Sequence, residues 1–166
     1  MSSDSRGPLS ITRTPDSGPA RRTMYDERFI SPMRRELTDL GFQELHSAAD
    51  VDAALPNATG ASLVVVNSMC GCAARMARPG VRMALEKSDA KPEHLTTVFA
   101  GQDREATDKA RAYFTGYPPS SPSIGLLRDG QIVYMMERWQ IEGRPATDIA
   151  QDLISAFAEH CSTAKA

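Results

Sequence analysis

The stretch Ala61 to Asn67 reads ASLVVVN, and its centre, Leu63 to Val66, is aliphatic without a break. A run of this kind predicts a strand buried on both faces in the middle of a sheet. It is far short of the roughly 20 apolar residues that a membrane-crossing helix needs. A strand covered on both sides requires helices packed on both sides, so the segments around it must supply them. Shortly after the run comes Cys70-Gly71-Cys72, which places two thiols where a central strand ends.

The flanking patterns meet that requirement. Ser31-Pro32 reads as a helix opening, with Ser as cap and Pro in the first turn, and Met33, Leu37 and Leu40 fall on one face before Gly41. A short strand is expected over Phe42 to His46. Ser47 to Asp50 has capping-box spacing ahead of a helix carrying Val51, Ala54 and Leu55. Beyond Cys72, Ala77, Val81, Ala84 and Leu85 share a helical face that Pro79-Gly80 should kink. Leu95 to Ala100 is strand-like. Asp103 is positioned to cap a helix with Ala106, Ala110, Tyr113 and Phe114 on its buried stripe, ending at Gly116. A proline-rich loop, 116–123, leads into two strands, 123–128 and 131–136, joined by Asp129-Gly130. Pro145 opens a last helix with Ile149, Leu153, Ala156 and Phe157 on one face and Cys161 near its end. The order is a helix followed by β-α-β-α-β-α-β-β-α. It predicts an α/β fold: a mixed central sheet, parallel through the crossovers and antiparallel at the hairpin, flanked by helices.

The 166 residues suffice for one domain with a sizeable core. With 41% apolar residues, 24% charged residues and a net charge of −2, the chain offers no electrostatic reason for a nucleic-acid or membrane partner. Residues 1–23 hold only Leu9 and Ile11 as large aliphatics and read as a disordered leader without a secretory h-region. The domain is expected over 24–161, with 162–166 as a tail, and the cytoplasm is the expected location. Three cysteines are too few, and odd in number, for a disulfide-stapled secreted domain.

A cysteine at a helix N-terminus meets unpaired N–H groups and a partial positive charge, both of which favour the thiolate. Cys70 is therefore the candidate nucleophile. A disulfide to Cys72 would close a very small ring, eased by Gly71, and such a strained bond cycles more readily than a structural one. Two other readings stand beside this one. The pair could be buried and inert, like many free cysteines. It could also hold a metal, although tetrahedral sites want four ligands and only Cys161, His46, His94 and His160 remain to complete one. The preferred reading has no metal and no tightly bound cofactor.

Residues 63–74, LVVVNSMCGCAA, and 98–106, VFAGQDREA, resemble the bacilliredoxin family, thioredoxin-like proteins of bacteria that make the small thiol bacillithiol. The similarity continues through Tyr113-Phe114-Thr115-Gly116, the segment 119–123 and Ile141-Glu142-Gly143-Arg144, as far as Cys161. It implies a thioredoxin-like fold with an extra N-terminal helix. It also implies an activity, removal of bacillithiol from mixed disulfides on client proteins, with bacillithiol as co-substrate. Carried over, Cys70 attacks the mixed disulfide and Cys72 resolves it, unless a second low-molecular-weight thiol does so. Pro122 matches the proline, usually cis, that faces the active-site turn in this fold, leaving backbone groups of Ser121 for an extended client segment. Bacillithiol carries carboxylates on its malate part, and Asn67 and Arg75 are candidates to meet them by proximity. Trp139 stands where similar sequences often carry a histidine, and Ser68-Met69 replaces the tryptophan that commonly precedes the active-site cysteine of thioredoxin. General protein disulfide reduction or isomerisation is the alternative within the same chemistry, and a metal-binding module the alternative outside it.

Overall fold

The computed structural model describes residues 23–56 and 58–161. The expected leader, up to residue 22, and the tail from 162 lie outside the described residues.

β2 (Ala61–Asn67) forms over the predicted aliphatic run, and every residue in it is buried. Along a strand successive side chains point to opposite faces. Ala61, Leu63 and Val65 accordingly enter one core, and Val64 and Val66 a second. On one edge β2 pairs in parallel with β3 (His94–Phe99), which pairs in parallel with the short β1 (Gln43–Glu44). On the other edge lies β4 (Ser123–Arg128), antiparallel to β2, followed by β5 (Gln131–Met136), antiparallel to β4. The five strands run in the order β1-β3-β2-β4-β5. Asp129 and Gly130 take φ values of 49° and 80°, the left-handed pair that a two-residue hairpin loop demands.

The first core is closed by α1 (Glu27–Thr38), α3 (Arg78–Lys87) and α6 (Ala146–His160), through Leu37, Val81, Ala84, Ile149, Leu153 and Phe157. The second is closed by α2 (Ala48–Ala54) and α4 (Arg104–Arg111), through Val51, Ala106 and Ala110, with Phe114 just beyond. This is the thioredoxin-like fold, with α1 as its N-terminal addition. Among the described residues, no helix is long and apolar enough to cross a membrane.

Three local expectations are corrected, and one helix is added. α1 starts at Glu27, because Asp26 accepts from the Arg28 N–H and caps it; Pro32 lies inside the helix, and the buried face is Ile30, Arg34 and Leu37. The irregularity expected at Pro79-Gly80 falls earlier, as a π-helical turn over Ala73–Ala77. Pro79 has no N–H to return to the preceding turn, and widening that turn makes room for its ring. Asp103 stands at the cap position of α4 without capping it, since its carboxylate is held by Arg34 at 2.7 Å. A single-turn helix, α5 (Arg138–Ile141), went unpredicted; Glu137 and Gln140 form its capping box.

Candidate active site

β2 delivers the chain to the cysteine pair, and the backbone turns helical immediately afterwards. The Cys70 carbonyl accepts from the N–H groups of Ala73 and Ala74 at 3.1 and 3.2 Å, which puts Cys70 at the N-terminal edge of the turn. Gly71 has open space around the position of a Cβ. Both thiols are half-buried and free.

Ser68 holds Cys70 from two sides: its Oγ donates to Cys70 Sγ at 3.1 Å and accepts from the Cys70 N–H at 3.2 Å. Partial burial of Cys70 favours the neutral thiol. The Ser68 hydroxyl, the N–H groups of Ala73 and Cys72 and the charge of Arg138 together outweigh it, and the thiol is lowered from its ordinary value. Cys72 is shifted the other way. Burial raises it first, then the negative charge of Cys70 and that of Glu142. Two cysteines one glycine apart are thus differentiated, one toward thiolate and one toward thiol.

The floor of the turn is bolted to α1 and α3. Asn67 is buried; its Nδ2 donates to the Met33 carbonyl at 3.2 Å and its Oδ1 accepts from the Ser68 N–H at 2.9 Å. The buried Arg78 donates to Asn67 Oδ1 and to the Ser68 carbonyl, each at 2.9 Å, and pairs with Glu36 of α1. With its amide occupied on both sides, Asn67 supports the turn from below and is not exposed to a ligand. Arg75 is exposed. The cation that acts on Cys70 is Arg138, a residue that sequence reasoning missed because α5 itself gave no recognised signal.

Beside Cys70 lies an open groove of about 270 Å³. One wall is the segment Met24-Tyr25, held by the Met24 N–H on the Gly101 carbonyl at 3.2 Å and by Gln102, which both donates to and accepts from the Tyr25 backbone. Ser121, in a cis peptide bond to Pro122, also lines the groove. The Ser121 carbonyl, expected to be free for a client, accepts from Arg138 Nη1 at 3.1 Å. Among the described residues its N–H has no partner. Met69 and Met24, both exposed, give the rim an apolar character, and Trp139 stands exposed next to Arg138 in α5.

The donors that a metal site would need are not gathered. Among the described residues no three of His, Cys, Asp and Glu come together as a ligand set. His46 lies against Glu44 and Asp103, His94 Nε2 donates to the Thr59 carbonyl oxygen at 3.0 Å, and Cys161 is buried at the end of α6.

Comparison with known proteins adds a family. The family described as disulphide isomerase matches residues 25–161. A bacilliredoxin of Koribacter versatilis is 54% identical over 138 residues, covering 83% of this chain and 94% of its own. A bacilliredoxin of Bacillus licheniformis is 49% identical over 142 residues, covering 84% of this chain and 99% of its own. Among solved structures, the thioredoxin of Fasciola hepatica superposes with a TM-score of 0.48 at 18% identity, over 72% of this chain and 99% of its own.

Proposed function

Because the chain belongs to the bacilliredoxin family and is a thiol–disulfide oxidoreductase, we propose that it removes bacillithiol from mixed disulfides on client proteins in the cytoplasm, with Cys70 as nucleophile and Cys72 as resolving thiol. The observation that carries this reading is the Ser68 hydroxyl donating to Cys70 Sγ at 3.1 Å, at the N-terminal edge of a helical turn and one glycine from Cys72.

The Cys70 thiolate attacks the bacillithiol sulfur. The bond between client and bacillithiol breaks, a bond between Cys70 and bacillithiol forms, and the client sulfur leaves as a thiolate that takes up a proton. The negative charge on Cys70 disappears in this step, and with it one of the causes that hold Cys72 protonated. Cys72 then ionises more readily and attacks Cys70 Sγ, expelling bacillithiol as its thiolate and leaving a Cys70–Cys72 disulfide. Two molecules of a low-molecular-weight thiol then attack the pair in succession, return it to the dithiol and leave joined as their own disulfide. If a second bacillithiol resolves the intermediate instead, it takes over the role of Cys72 and leaves as bacillithiol disulfide. The Ser121 N–H, unpaired among the described residues and on a residue that lines the groove with Cys70, offers a backbone donor to an extended client segment. Asn67 supports the nucleophile's turn in this scheme, and Arg75 contributes a positive charge at its solvent face.

The test uses Cys72→Ala with a single-cysteine peptide carrying bacillithiol or, separately, glutathione, read by intact mass. Transfer of bacillithiol to Cys70 in clear preference to glutathione is the expected result. Equal transfer of both would make the protein a general exchanger. Absence of transfer to Cys70 would sink the assignment of the nucleophile.

A further inference from the structure

We infer that Arg138 is the specificity-determining residue of the groove, reading an anionic group, such as a carboxylate, on the small thiol that becomes attached to Cys70. The inference rests on the exchange reading above and adds the ligand's charge and the residue that meets it. Among the described residues lining the groove, Arg138 is the one cation, and Cys70, Ser121 and the Met24-Tyr25 wall line it as well. A small thiol joined to Cys70 Sγ in a groove of about 270 Å³ therefore lies beside this guanidinium.

Arg138 is held in place through its backbone and its guanidinium. Its backbone N–H donates to Ser120 Oγ at 3.3 Å, Nη1 donates to the Ser121 carbonyl at 3.1 Å, and Nε lies 3.6 Å from Glu142 Oε2. Among the described residues Nη2 has no partner, and the side chain is 42% exposed. A positioned fork whose Nη2 is unpartnered and whose Nε meets only Glu142 binds a carboxylate in two-pronged fashion once Glu142 is displaced, which a lysine ammonium cannot reproduce. The competing account makes Arg138 a brace for the Ser121 loop and a partner of Glu142. The Glu142 pair, between two exposed side chains one helical turn apart, is worth little, and a ligand carboxylate displaces it readily. Bracing alone leaves the free edge without a role.

The experiment measures kcat/KM for release of one single-cysteine peptide from three mixed disulfides: with bacillithiol, with glutathione, and with the uncharged 2-mercaptoethanol. Wild type, Arg138→Gln and Arg138→Lys are compared. Wild type is expected to prefer the two anionic thiols. Arg138→Gln should lose about ten-fold or more on those two, mostly through KM, the size of a lost charge-assisted hydrogen bond. Its loss on the 2-mercaptoethanol disulfide should be limited to the smaller effect of a less ionised Cys70, given by the pH profile of Cys70 alkylation. Arg138→Lys should restore alkylation and only part of the anionic preference. Equal losses on all three disulfides, or a wild type indifferent to ligand charge, would overturn the inference while leaving the exchange reading intact. A wild type inactive on every mixed disulfide would overturn the exchange reading, and this inference with it.

Discussion

Nη1 of Arg78 donates to the carbonyl oxygen of Ser68 at 2.9 Å, from beneath the turn that carries the cysteine pair. The same nitrogen reaches Asn67 Oδ1 at 2.9 Å, and Nε pairs with Glu36 on α1. Ser68 in turn donates to Cys70 Sγ. One buried cation thus links the N-terminal helix, the end of the central strand and the hydroxyl that stabilises the thiolate. The added helix α1 is in this way structural support for the site, since Met33 and Glu36 both contribute to it.

Replacing Arg78 with Met keeps most of the buried stem and removes the charge and the donors. Asn67 Oδ1 and the Ser68 carbonyl each lose a hydrogen-bond donor in a buried setting, while Glu36, half exposed, is rehydrated. The expected destabilisation is about 3 kcal/mol, the range for breaking a buried charged network from one side. That corresponds to a fall of roughly 10 °C in Tm for a domain of this size. Differential scanning calorimetry checks it, and an unchanged Tm would show that the network carries no stability.

Ser68→Ala removes the hydroxyl that donates to Cys70 Sγ and accepts from the Cys70 N–H. Of the influences that lower Cys70, it is the foremost. Without it the thiol should titrate at higher pH, by a modest amount because water reaches the half-buried sulfur. The thiolate fraction at neutral pH falls accordingly, and the alkylation curve with iodoacetamide moves to higher pH. Coincident curves for variant and wild type would remove Ser68 from the account of the thiolate.

What could be read from the sequence was local. The aliphatic run of β2 and the Asp129-Gly130 hairpin formed within the predicted residues, because a strand buried on both faces and a two-residue turn carry their instructions in adjacent positions. The cysteine turn was legible for the same reason. Arg34 and Arg78 were not. An arginine on a helix is ordinarily solvated, and their burial is decided by partners distant in sequence: Asp103 for Arg34, Glu36 for Arg78. Ser31-Pro32 imitated a helix start, whereas Asp26, just inside the expected domain, supplies the actual cap one turn earlier. Arg138 meets Cys70 only because the hairpin returns the chain to the carboxyl end of β2, a relation that no spacing expresses.

Gly80→Ala puts two influences in opposition. Alanine is the better helix former by about 1 kcal/mol, and Gly80 lies within α3. Its Cβ, however, would stand 2.6 Å from Ile149 Cγ2, 2.9 Å from Ile149 Cβ and 3.2 Å from the Ala146 carbonyl oxygen, where α6 crosses. Ile149 is a branched, fully buried side chain without room to move. Overpacking should win, with a net loss of about 1–3 kcal/mol by urea denaturation. A variant more stable than wild type would mean that α6 can shift away freely.

Cys161 gives the protein an alkaline limit. Burial at the end of α6, reinforced by the nearby charge of Glu93 and opposed by Arg128, pushes its thiol up to about 11. In the unfolded chain the group titrates near its ordinary value of about 8.5. A folded pKa above the unfolded one means that the unfolded state loses its proton first as pH rises. The stabilisation is complete below about pH 8.5 and is lost progressively as pH climbs toward 11. The loss attributable to this thiol is on the order of 3 kcal/mol over that window. Cys161→Ala should be somewhat less stable than wild type at pH 7, since it gives up a buried sulfur in the first core. It should also lack this part of the alkaline decline, so urea midpoints measured under reducing conditions converge and then cross as pH rises from 8 to 11. Cys70 and Cys72 titrate in both proteins and cancel in the difference. Two stability curves running parallel across that range would show that Cys161 ionises alike in the folded and unfolded states, and that its burial has no electrostatic consequence.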